Sequence, residues 1–196
     1  MSNARNLARL LPNTSGQLPD ANLAALSANK ISGALAKANM AGGSVLQVVT
    51  AIKTDTQSFS GLATSWADIA GLSVTLTPMA ASSRFLILGG VMTSITNNPV
   101  TLKPVRNGSD IFIGDAASNR KRASMQLYPG AGPVVGVYST IAVVDSPNTT
   151  TPLTYKFQLS IGGTATDYVN RCGRDTDTTS EDARGASSII VMEIAG

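Results

Sequence analysis

The stretch LSVTLTP, Leu72 to Pro78, sets apolar Leu72, Val74 and Leu76 against Ser73, Thr75 and Thr77. A backbone whose side chains alternate with period two has one face for a core and one for water. From Ser44 onward β-prone runs keep returning, in SVLQVVTAI, the nearly continuously apolar RFLILGGVMTSI, SMQLY, VVGVYSTIAVV, LTYKFQLSIGG and TDYVN. In TYKFQLSI the inward set is Tyr155, Phe157, Leu159 and Ile161, with Lys156, Gln158 and Ser160 outward. Asn107-Gly108 between two β-prone runs predicts a tight hairpin, and Gly89-Gly90 inside an apolar run predicts a bulge or bend. The run SSIIVMEIAG, apolar on both faces, reads as a central strand. Roughly nine or ten strands at spacings of about 8–15 residues predict an all-β fold, an antiparallel jelly-roll sandwich.

That central strand raises a problem, because Glu193 sits inside it. An unpaired buried carboxylate is costly, so Glu193 needs a solvent-facing slot or a cationic partner, such as one supplied where three chains meet. The competing reading is an edge strand with Glu193 in water.

Residues 1–43 differ in kind. LPDANLAALSANKISGALAKANMAGG holds no aromatic residue and no long β-branched run. Asp20 after Pro19 suits an N-cap, with Leu23 and Leu26 on one helical face, but Ser27, Ser32 and Gly33 interrupt the pattern. The expectation is an extended or partly helical arm that orders against partner chains, followed by a hinge at Gly42-Gly43 and a head domain over residues 44–196.

Composition narrows the chemistry. Hydrophobic residues make up 43% and charged residues 14% of the 196, with net charge +3, a folded and charge-poor chain. There is no histidine, and Cys172 is the single cysteine. Ser-His-Asp and Cys-His catalysis, most zinc chemistry and internal disulfides are thereby removed, and Cys172 reads as a small buried group. Arg120-Lys121-Arg122 is too short for a nucleic-acid footprint. No window reaches the length of a membrane span, and the first residues, broken by Arg9 and Pro12, do not read as a signal peptide.

Four acidic residues, Asp175, Asp177, Glu181 and Asp182, cluster in RDTDTTSED, without the glycine and distal glutamate of a calcium loop. The expectation is a solvated loop, with no metal, cofactor or catalytic site. Trp66 reads as a core plug rather than a sugar-stacking platform. Two long polar excursions remain, Asp115–Arg122 and Arg171–Arg184. Loops on a rigid sandwich are where recognition concentrates, so Asp115, Asn119, Arg120, Lys121, Arg122, Arg171, Arg174, Asp175 and Asp177 are the candidate contact residues.

The ordered blocks Val45–Thr50, Lys53–Thr56, Trp66, Asp68, Gly71–Pro78 and Ser82–Leu88 resemble a family of phage tail-fibre and virion-associated head domains. The closing SSIIVMEIAG is similar to that family's last strand, and the leading NARNLARLLPNTSGQLPDANLAAL is similar to its particle-attachment segment. The resemblance implies a homotrimeric jelly roll in the virion, made in the host cytoplasm. Its N-terminal segment would dock on tail, baseplate or capsid proteins, and its head would meet bacterial polysaccharide or lipopolysaccharide. It supplies no catalytic residues. A capsid decoration protein, also commonly trimeric and β-rich, is the alternative.

Overall fold

The structure is a computed structural model that describes residues 41–96, 98–128, 135–177 and 182–196. The expected arm lies almost wholly outside these residues. Eleven strands run β1 (Val45–Lys53), β2 (Gln57–Phe59), β3 (Ala67–Leu76), β4 (Arg84–Ile95), β5 (Val100–Arg106), β6 (Ser109–Asp110), β7 (Met125–Leu127), β8 (Val135–Asp145), β9 (Leu153–Ile161), β10 (Asp167–Val169) and β11 (Ser187–Ile194).

They form two antiparallel sheets. In sheet I the path is β1-β11-β4-β10-β2, with β8 on the other side of β4. In sheet II it is β3-β9-β5-β6, with β7 also on β5. Short β10 continues the line of β11, and β7 and β6 share one flank of β5, so each sheet is four positions across. Successive long strands alternate between the sheets, β1 to I, β3 to II, β4 to I, β5 to II and so on. That alternation is the jelly-roll path.

The period-two reading locates the core. Leu72, Val74 and Leu76 of β3 are buried while Ser73 and Thr75 face out, and Tyr155, Phe157, Leu159 and Ile161 line the inside of β9. Phe85, Ile87, Val91, Ile189 and Val191 meet them from sheet I. Asn107 and Gly108 close the β5–β6 hairpin with φ of 47° and 84°, the two positive values that a type I′ turn requires. Pro104, with no N–H to give, sits where the neighbour of β5 changes from β7 to β6. Across the sandwich, Arg106 donates to both oxygens of Asp145 at 2.7 and 2.6 Å, and the Tyr155 hydroxyl donates to Asp145 at 2.8 Å. The phenol pKa is pushed up, first by burial and then by Asp145.

One expectation fails here. Gly89-Gly90 forms no bulge, since β4 keeps register through both glycines with β11 and with β8. The glycines are there for space. A Cβ on Gly89 would lie 2.2 Å from the Phe157 ring, and one on Gly90 would lie 1.9 Å from the Tyr138 hydroxyl. Phe157 is locked in the core, whereas Tyr138 is an exposed side chain able to swing away. Gly89→Ala should therefore cost about 1–3 kcal/mol by overpacking and lower the melting temperature clearly, with Gly90→Ala much milder. Equal melting of the two variants would contradict this reading.

Gly42-Gly43 forms a turn tied to the end of β11. Ser44 N–H donates to Ala41, and Gly43 N–H donates to Ala195 at 2.8 Å, with Ala195 N–H returning to Ser44.

Candidate functional site

Residues 111–124, between β6 and β7, fold back over the outside of sheet II. Rungs brace this loop from within. Gly114 N–H donates to Ala123, Arg122 Nε donates to the Gly114 carbonyl at 2.7 Å, and Ser124 N–H donates to Leu102 of β5. Arg120 N–H turns back to Ala117. The loop is pinned to β9 by Lys121, whose ammonium donates to the Ser160 hydroxyl and, at 3.3 Å, to the Leu62 carbonyl. Partial burial there lowers the Lys121 pKa.

Trp66 lies under this arrangement. The Lys103 ammonium stands 4.2 Å from its ring centroid and that of Lys121 stands 6.0 Å away, the geometry of a cation on an aromatic face. Lys103 is buried and also holds Asp110 at 2.5 Å. The expectation of a core plug is thus corrected: Trp66 is half-buried on the polar outer face, outside the hydrophobic cluster. The reason is that Lys103 and Lys121 need an apolar roof for their stems and a π-face for their charges.

Beside this stack opens a cleft of about 270 Å³ lined by Pro99, Thr101, Arg120, Lys121, Gln126 and Gly162. Pro99 presses against Gly162, leaving no room for a Cβ there. Among the described residues, the lining carries two cations and no carboxylate. It is sized for one sugar ring or an acidic substituent on one, and it offers donors to oxygen atoms.

The expected contact residues fall into two groups. Arg120 and Lys121 line the cleft, and Arg122 braces the loop behind it. Asp115 and Asn119 are exposed elsewhere on the same loop. The second excursion follows β10 in sheet I, and its charges are largely engaged with one another. Arg171 stacks 3.7 Å over the Tyr168 ring and donates to Asp175 at 2.9 Å. Asp175 also accepts from Arg184 at 2.8 Å. Arg174 donates to Asp182 at 2.8 Å, and Asp182 accepts the Thr176 N–H as well. Arg174 holds the Asp182 carboxyl down to about 2. Asp177 is exposed, and Glu181 lies outside the described residues. Cys172 is buried within this loop, its thiol pKa raised by burial and then by Asp182.

Sequence reasoning missed Lys103, Gln126, Pro99 and Gly162. One signal was available: Lys103 is the one charged residue in VTLKPV, and a strand cation in such a run needs a partner.

No family model and no curated protein matches this sequence. Among solved structures the chain is similar to the infectious bursal disease virus VP2 subviral particle, at 14% identity and a TM-score of 0.38. That alignment covers 76% of this chain and 33% of that one. This chain therefore spans about a third of the VP2 length, and the jelly-roll assignment rests on the strand order above.

Proposed function

We propose that the protein is a phage virion structural protein, the head of a short tail fibre that binds the bacterial surface. Residues 1–43 would dock it to tail or baseplate, and three chains would build the head. The observation that carries this reading is the cationic cleft of Arg120 and Lys121, held beside Trp66 on a braced loop. A rigid sandwich with a shallow, donor-rich cleft suits polysaccharide or lipopolysaccharide, whose hydroxyl and acidic groups take such donors. Each site would bind weakly, and several heads per particle would supply avidity.

Arg120 is the variant to make, because its side chain is exposed and lines the cleft without bracing the loop. Arg120→Ala should leave the melting temperature within about 2 °C, as surface changes usually do. Adsorption of particles to host cells should fall roughly tenfold, the equivalent of about 1.4 kcal/mol in binding. Unchanged adsorption would overturn the receptor reading. If the particles instead lost their heads' resistance to heat or osmotic shock, the protein would be a capsid decoration protein.

A further inference from the structure

The two outer faces of the sandwich are chemically opposite. Outside sheet II, Asp68 accepts from Lys156 at 2.6 Å and from Gln158 at 2.8 Å, the Thr75 and Thr154 hydroxyls pair at 2.8 Å, and residues 111–124 cross part of the face. Outside sheet I the register aligns a row of Val48, Met192, Leu86 and Val144 across all four strands. Ile190 and Leu88 stand side by side in the next row. Toward the two edges, Ile52 is 69% exposed and Tyr138 58%, with Val48 and Val144 above half. Among the described residues, Arg84 is the one charged side chain at the outward positions of β1, β4, β8 and β11, and it lies at the margin.

We infer that this face is where copies of the chain pack together. Four strands about 4.8 Å apart and some nine residues long make a face of roughly 500 Å² in plane. Thr50, Ser188 and Thr140 share this face with the apolar rows, and apolar patches of roughly 300–600 Å² are often functional. Side-chain relief brings it toward the ~800 Å² per partner of a stable interface. The chemistry favours a second copy over a foreign chain. The face has almost no charge with which to select a partner of opposite sign. Branched aliphatic rows fit rows like themselves, as the two sheets already do inside the sandwich. The inference locates the contact that a three-chain head would need, yet it rests on sheet I alone.

Light scattering on the full chain at micromolar concentration tests it. The wild type should show a multiple of the single-chain mass, and Ile52→Lys/Val144→Lys should shift it to single chains with its far-UV sheet signal retained. The weakening should be roughly a hundredfold or more, since each lysine would have to be desolvated at the contact. Thr50→Cys, a surface change on this face, should crosslink between chains under mild oxidation, and Thr75→Cys on the opposite face should not. A single-chain wild type, or equal crosslinking by both cysteine variants, overturns the inference. So does a monomeric full chain whose residues 44–196 self-associate, which would assign the face to the arm. A two-chain mass would uphold the face and refute the three-chain head, leaving the Arg120 experiment to judge the receptor reading.

Discussion

Removing Ile189–Gly196 should leave a chain with no cooperative unfolding transition. β11 is hydrogen-bonded on one side to β1 and on the other to β4, so its loss orphans two ladders at once. It also takes Ile189 and Val191, both fully buried, from the core. Each buried aliphatic contributes about 1.5–3 kcal/mol, and each backbone hydrogen bond about 1 kcal/mol net. Together these exceed the 5–15 kcal/mol by which a domain is ordinarily stable. Thermal circular dichroism of the truncated chain should show a shallow drift, with strong binding of a hydrophobic dye. A sharp melt would mean that β1 can pair with β4 directly.

Glu193→Ala should be among the most damaging alanine substitutions on β11. The side chain is fully buried, and among the described residues neither a solvent slot nor a cation compensates it, contrary to what the sequence led us to expect. Its partners are neutral donors of its own chain. Met79 N–H and the Ser83 hydroxyl donate to Oε1, each at 2.6 Å, and the Gln47 amide donates to Oε2. Alanine would strand the Met79 and Ser83 donors at about 1–3 kcal/mol each, while the Gln47 amide keeps its bond to the Thr77 carbonyl at 2.9 Å. A net loss of roughly 3–5 kcal/mol and a fall in melting temperature on the order of 10 °C follow for a domain of this size. Glu193→Gln should cost far less, because its carbonyl oxygen can still accept from Met79 and Ser83. If alanine and glutamine melted alike, the donor network would not be what stabilises this carboxylate.

Much of the fold was legible because the signals that carry it are local. Leu72, Val74 and Leu76 announce their face by alternation alone, and Asn107-Gly108 specifies its turn by tolerance of positive φ. The central position of β11 was also readable, since residues apolar on both sides need two neighbours. What escaped depends on partners distant in sequence. Nothing near Gly89 says that Phe157 will occupy the space over it, so the glycine pair reads as a bulge. Nothing near Glu193 says that Gln47, Met79 and Ser83 will converge on it.

The site follows the same division. That residues 115–122 form a polar loop is plain from composition. That this loop lies across sheet II, setting Lys121 against Ser160 and near Trp66, depends on β9 and β3 being adjacent. Arg171 and Arg174 look equally available in the sequence, but their carboxylate partners are supplied by the same loop.

The insertion of β11 between β1 and β4 also sets a kinetic condition. Gln47 and Glu193, partners in the finished sheet, are 146 residues apart along the chain. Sheets that join such distant segments fold slowly, because the loop-closure cost falls due before the contacts form. Until β11 arrives, β1 and β4 each hold an unpaired edge beside apolar rows, the state in which sheet proteins aggregate. Yield of native protein should therefore depend on temperature and on chaperone supply during synthesis, more than its final stability would suggest.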